Sequence, residues 1–420
     1  MSSSPHIAVV GLGYVGLPLA LVFAGKYRVT GYDINSVRIA ELQQGIDSTH
    51  EVDRQTIQGA VQLQFTSQLA DIAACTIYIV TVPTPLNQQK EPDLHFLLQA
   101  SQQVGSVLKR GDIVIYESTV YPGCTEEDCV PVLAQQSGLR YNVDFFCGYS
   151  PERINPGDKQ RPITSIRKVT SGSTGSVAKS IDDLYASVIT AGTYLAPSMK
   201  VAEAAKAIEN AQRDVNISFM NELSLIFDRM GIDTQEVLKA AATKWNFLPF
   251  QPGLVGGHCI GVDPHYLAHK AMQLGYQPKV ILSGREVNDG MGVFVAEKTI
   301  ALLAARKKGH LQGSKVLILG FAFKENCSDT RNTKVVDIYH TLQNAGMQVT
   351  IYDPCVSSEA VAQEYGIHLS DTFSYQQDAV ILAVAHQAFQ QLDFPVFRKN
   401  GALIFDAKSV LDRALVDARL

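Results

Sequence analysis

Short apolar runs alternate with helical stretches through the first half of the chain. HIAVV (6–10) leads into three glycines, Gly11, Gly13 and Gly16, and then into the apolar helical stretch LPLALVFAG. YRVTGYD ends a second strand at Asp33. CTIYIVTVP (75–83), DIVIYEST (112–119) and DFFCGYS are further strand candidates, and LHFLLQASQQVGSVLK is a helix between two of them. Strands that alternate with helices predict a parallel, doubly wound sheet. The pattern changes at Ser198. From there to Met230 the chain has neither Pro nor Gly, and Val201, Ala205, Ile208, Val215, Phe219, Leu223 and Ile226 recur close to helical spacing. One long helix is predicted, with Gly231 as its C-cap and Thr234 as the N-cap of the next helix.

Alternation returns at Lys315. KVLILGFAFK, MQVTIYDP (347–354), AVILAVAH (379–386) and GALIFDAKS (401–409) repeat the strand series of the first half in the same order. The expected fold is therefore α/β, two Rossmann-like doubly wound parallel-sheet domains joined by a central long-helix region. The expected boundaries are 1–196, 197–310 and 311–420. Gly320 is followed by FAFK, so the second copy lacks the glycine fingerprint, and the two ends are expected to take different ligands.

Composition changes this picture little. A chain of 420 residues is too long for one compact core. The net charge of −5 argues against a nucleic-acid partner, which needs a basic face. No basic leader with an apolar core and no bilayer-length run is present, which gives the expectation of a cytoplasmic chain with no membrane partner. The 7 cysteines are odd in number, and no C-x-x-C pair occurs among them, so neither a zinc site nor a disulfide framework is expected.

Gly11-Leu12-Gly13-Tyr14-Val15-Gly16 fits G-x-G-x-x-G between a strand and a helix, and Asp33 follows at the end of the next strand. Glycines there permit a tight turn and close approach of pyrophosphate to a helix N-terminus, while the acid accepts from ribose hydroxyls. A carboxylate repels a 2′-phosphate, so NAD is expected rather than NADP; Arg38 is the one nearby residue that could host that phosphate. Thr84 and Thr119 lie at carboxyl ends of strands, where ligands bind in open sheets, and are equally ordinary turn hydroxyls. In GLVGGHCIGVDP, a helix starting near Cys259 would place Asp263 on its face and lower the thiol pKa. On spacing alone, Cys259 is as readily an inert buried thiol. Lys206 and Asn210 share a helical face, as a solvated stripe also would, and Ser150-Pro151-Glu152-Arg153 is a further polar cluster.

GLGYVGLPLA with Asp33, TVPTP, ESTVYPG, SPERINPG, AKAIENAQRDVNI, GGHCIGVDP and FKENCSDTR occur in that order. Together they resemble the UDP-glucose/GDP-mannose dehydrogenase family over nearly the whole chain. The resemblance implies a homodimer that oxidises C6 of a UDP-sugar twice with NAD. It implies Cys259 as the nucleophile, Lys206 and Asn210 as stabilisers of the C6 oxyanion, and Glu152, Thr119 and Asp263 as residues that position or activate water. Lys324 is implied to contact substrate and Arg331 the NAD phosphates. Arg153, Phe250, Gly253 and, across the dimer, Arg285 are implied as further substrate contacts. Val262 stands where UDP-glucose members carry lysine. That departure and the surrounding motif point to UDP-N-acetylhexosamines for surface polysaccharides, UDP-N-acetylglucosamine first, with the galacto and manno epimers and UDP-glucose as alternatives. A two-electron dehydrogenase has no use for Cys259, and a nucleotide-sensing scaffold has no use for the polar set around it.

Overall fold

The computed structural model describes residues 4–49, 51–87, 89–154, 161–257 and 260–420. The chain divides into two compact units, Met1–Glu209 with His265–Tyr276, and Asn210–Pro264 with Gln277–Leu420. The helical stretch expected as one central region is thus shared between the two.

In the first unit, β1 (His6–Val10), β2 (Arg28–Tyr32), β3 (Leu63–Thr66), β4 (Ile77–Val80), β5 (Ile113–Tyr116) and β6 (Phe146–Tyr149) form one parallel sheet in the order β3-β2-β1-β4-β5-β6. The order reverses between β2-β1 and β4, the switch point where α/β sheets bind ligands. Central strands of such a sheet are covered on both faces, which is why β1 and β4 read as continuous apolar runs. Phe23 of the Gly16–Ala24 helix is fully buried and meets the Tyr185 ring edge-on at 5.3 Å. Pattern reasoning missed three short strands here: β3, and the pair β7 (Lys168–Thr170) and β8 (Thr193–Leu195). None of the three is long enough to show a period.

The second unit carries a five-stranded parallel sheet. Its strands are β9 (Lys315–Leu319), β10 (Gln348–Tyr352), β11 (Ala379–Leu382), β12 (Leu403–Asp406) and β13 (Ala418–Arg419), in the order β10-β9-β11-β12-β13. Val316, Ile318, Ile381 and Phe405 on one face pack with Met291, Val295 and Leu303 of the Lys279–Arg306 helix.

The long helix runs Met199–Met230, and Gly231 follows with φ +70°, as a C-terminal glycine should. The next cap differs from expectation. Asp233, not Thr234, caps the Thr234–Ala241 helix, its carboxylate accepting from Gln235 N–H at 3.0 Å and Glu236 N–H at 3.3 Å. Arg419 and Arg413 hold that carboxylate in place, a choice that sequence spacing does not register. The helix expected near Cys259 starts later, at Asp263. Among the described residues, no helix is long and apolar enough to cross a membrane.

Candidate active site

The glycine loop of the first unit is built for close approach. Gly11 has φ +93°, a region closed to most side chains. A Cβ on Gly16 would lie 1.8 Å from the Gly11 carbonyl, whereas one on Gly13 would meet nothing within 4 Å. Gly16 is therefore needed for the turn itself, and the side of Gly13 is open for a ligand. Val15 occupies the N-cap position of the Gly16–Ala24 helix without a side-chain cap; Leu17 N–H already donates to Gly13 O at 3.1 Å and Pro18 has no N–H, so an anion here would be met by the Gly16 N–H and the helix dipole. Tyr14 lies half-buried in the same turn.

Asp33 stands at the carboxyl end of β2. Its Oδ2 accepts Leu12 N–H at 2.8 Å and its Oδ1 accepts Asn35 N–H at 2.9 Å, which aims the half-exposed carboxylate beside the loop. The structure engages Arg38 with protein groups. It is buried, its Nη2 is 2.7 Å from Asp47 Oδ1, its Nε donates to Leu12 O at 3.0 Å and its Nη1 to Ser48. Burial raises the Asp47 carboxyl, but hydrogen bonds from Thr49 and Arg38 outweigh it and hold the group below the usual carboxylate range. These residues fit NAD: a glycine cradle, the N-terminal end of a helix, a ribose acceptor, and an Arg38 already engaged by Asp47 and Leu12.

Thr84 and Thr119 are linked to each other, the Thr84 hydroxyl donating to Thr119 O at 2.7 Å. Tyr266, in the Asp263–Gln273 helix, donates to Thr84 O at 2.9 Å. Glu152 is buried just beyond β6. Arg153 forks onto Glu209 at 2.7 and 3.1 Å and donates to Arg167 O, which pins the Ser150–Arg153 segment to the long helix.

In the second unit the structure brings together Asn210 and Asp263, two residues 53 positions apart, the amide Nδ2 donating to the carboxylate at 2.5 Å. Asp263 is buried at the first position of its helix, where the N-terminal dipole favours its charge. Lys206, also buried, lies one helical turn before Asn210. Cys259 and His258 lie outside the described residues. The glycine run before them is tied down: Gly257 N–H donates to Arg331 O at 2.9 Å and Asn332 Nδ2 to Gly257 O at 3.1 Å.

Lys324 lines a small recess of about 10 Å³ beyond the carboxyl ends of β9, β11 and β12, with Phe323, Lys334, Lys408, Gly256 and Val384. Its ammonium lies 5.8 Å from the Phe323 ring centre. Arg331 is clamped on both oxygens of Asp329, at 2.9 and 2.5 Å. Arg285 is held within this chain. It is 4 % exposed, and its guanidinium binds Asp214 at 2.6 Å and Asp289 at 2.5 Å in the same chain. Phe250 is half-buried at the start of the segment leading to Gly253.

Three participants escaped sequence reasoning. Asn221, fully buried, pairs with both backbone groups of Gly253, donating to its O at 3.0 Å and accepting from its N at 2.8 Å. A polar residue on the apolar side of the long helix was the available signal. Lys334 and Lys408 also line the pocket, Lys334 paired with Asp289 at 2.8 Å and Lys408 with Glu325, another lining residue, at 2.7 Å; Lys408 follows a strand end, which is where it could have been sought.

Comparison with known proteins identifies the family. The UDP-glucose/GDP-mannose dehydrogenase family matches in three pieces: its NAD binding domain over residues 5–189, its central domain over 200–290 and its UDP binding domain over 317–413. A UDP-N-acetyl-D-glucosamine 6-dehydrogenase of Pseudomonas aeruginosa is 58 % identical over 418 residues, covering 99 % of each chain. A second, from Salmonella typhi, is 54 % identical, covering 99 % of this chain and 98 % of the relative. The solved UDP-D-ManNAc dehydrogenase from Pyrococcus horikoshii superposes with a TM-score of 0.88 at 29 % identity, covering 99 % of this chain and 98 % of that one.

Proposed function

Because the chain belongs to the UDP-glucose/GDP-mannose dehydrogenase family, we propose that it oxidises C6 of UDP-N-acetylglucosamine from alcohol to carboxylate. The chain is an NAD-dependent enzyme, and bound NAD supplies the hydride acceptor in each of two oxidations. The observation that carries the substrate is the pair of full-length relatives with that activity, at 58 % and 54 % identity. Curated UDP-N-acetyl-D-mannosamine dehydrogenases match at 32 % or below.

The protein's own groups have the following parts. The first oxidation removes a hydride and a proton from the C6 alcohol and leaves an aldehyde. Cys259 sulfur then adds to the aldehyde carbon, forming a thiohemiacetal that keeps the reactive carbonyl in place. Loss of a second hydride and proton converts it to a thioester. Water cleaves the C–S bond, giving the carboxylate and restoring the thiol. Lys206 and Asn210 donate to the C6 oxygen as it gains negative charge. The Asn210–Asp263 hydrogen bond at 2.5 Å orients that amide. Glu152, Thr119 and Asp263 hold or deprotonate the attacking water. Lys324 offers positive charge to the diphosphate, and Lys408, paired with Glu325 at 2.7 Å, stands beside it. Arg153, Phe250 and Gly253 shape the sugar side, and Arg331 meets the NAD phosphates if its Asp329 partner yields.

The enzyme acts as a homodimer in this proposal. Phe219, Ile226 and Met230 expose 54, 45 and 61 % of their surface along one face of the long helix, an apolar stripe suited to a second copy. The product is a nucleotide-activated uronate, the form a glycosyltransferase uses to build a surface polysaccharide. The deciding test is NADH formed per UDP-N-acetylglucosamine with NAD in excess. Two equivalents and a uronate product are expected; one equivalent removes the thioester role of Cys259, and preference for UDP-glucose removes the substrate assignment.

A further inference from the structure

Lys324 sits in the segment that leaves β9, and one imidazole reaches both ends of that segment. His386 follows β11 and is 1 % exposed. Its Nδ1 accepts the Asn326 backbone N–H at 2.9 Å, so that nitrogen carries no proton. The ring proton is therefore on Nε2, which donates to Asp353 Oδ2 at 3.0 Å. The same carboxylate oxygen accepts Phe321 N–H at 2.6 Å and Ala322 N–H at 2.9 Å. The backbone beside His386 reinforces the far end, Gln387 N–H donating to Asn326 Oδ1 at 2.8 Å. The near end of the 321–326 segment is thus held by His386 through Asp353, and the far end by His386 directly.

We infer that His386 is a positioning residue for UDP: by spanning the 321–326 segment it sets where Lys324 stands against the diphosphate. The inference rests on the proposed UDP role of the Lys324 pocket. The Cys355 Sγ also lies 3.5 Å from His386 Nδ1. Asp353, Cys355 and His386 place potential metal-binding atoms within 4.8 Å of one another. Both ring nitrogens, however, already face protein groups. Burial and the Asp353 charge also push the Cys355 thiol up, away from the thiolate that a metal requires. The trio is a completed clamp.

The test is a double-variant cycle read by calorimetric titration of UDP alone into the full chain. Wild type, Lys324→Ala, His386→Phe and the double variant are compared. Each single variant is expected to weaken UDP binding about tenfold, the loss typical of one hydrogen bond to a charged group. The double variant is expected to bind within about twofold of the weaker single, because both changes remove the same interaction. NAD affinity is expected to stay as in wild type, which a general loss of packing would not allow. Unchanged UDP affinity in His386→Phe, or losses that multiply in the double variant, overturns the inference. Unchanged UDP affinity in Lys324→Ala overturns the assignment of the pocket instead. If His386→Phe does not fold, His386→Gln, which keeps a donor for Asp353, takes its place in the cycle.

Discussion

The two Rossmann-like halves begin alike and diverge within a few residues. Gly11 ends the first strand of one at φ +93°, and Gly320 ends the first strand of the other at φ +94°. Gly11 N–H donates to Tyr32 O at 2.8 Å and Gly320 N–H to Tyr352 O at 2.9 Å. In each half an aspartate at the end of the second strand then accepts from the loop, Asp33 from Leu12 and Asp353 from Phe321 and Ala322. After that the first half opens its helix at Gly16, while the second inserts a loop and waits until Val335. Asp33 remains half-exposed with a face for ribose; Asp353 is 6 % exposed and filled by four donors, the Cys355 N–H and His386 among them. One backbone device thus serves as ligand acceptor in one half and as internal clamp in the other. Burial and donor count decide which.

Substituting the two acids tests this contrast most directly. Asp353→Asn is expected to cost about 3 to 5 kcal/mol of stability, because it turns a buried acceptor of several donors into a partial donor. A denaturant titration measures that, and NAD affinity is expected to hold. Asp33→Ala is expected to do the reverse, weakening NAD roughly tenfold to a hundredfold with little change in Tm. Equal effects of both changes on Tm and on NAD would erase the distinction.

Acid pH sharpens the same comparison. Burial raises the Asp353 carboxyl, but hydrogen bonds from His386, Phe321 and Ala322 outweigh it, so its folded-state pKa lies below the ordinary value. A depressed carboxylate stabilises above its unfolded pKa, and the gain is lost as pH falls through the folded one. The Tm gap between wild type and Asp353→Asn should therefore narrow as pH falls from about 5 to below 3. A gap that is constant or widens there contradicts the assigned hydrogen bonds.

The smallest expected effect concerns cofactor choice. With Arg38 held by Asp47, Asp33→Ser alone should gain little NADP activity. Adding Asp47→Ala frees the guanidinium and should lower the NADP KM a further severalfold, on the order of one charge-assisted contact. Initial rates with the two cofactors decide it; no difference between the single and double variants would mean that Arg38 does not reach the site.

The sequence by itself determined the periodic elements and the nucleotide loop. Apolar runs, the uninterrupted helix ending at Gly231 and the spacing from Gly11 to Asp33 are local patterns, and local sterics enforce them. The family and its chemistry were legible in ordered motifs. Tertiary structure alone decided what depends on partners distant in the chain. Arg38 is spoken for by Asp47, Asp33 and Asp353 part ways in exposure, and Asp233, which caps a helix, is held by Arg419 of the C-terminal strand and Arg413 of the turn before it. Asn210 meets Asp263, Asn221 grips Gly253, and His386 spans the loop of Lys324. A side chain's type sets which bonds it is able to make, and folding sets which groups come within about 3 Å to make them.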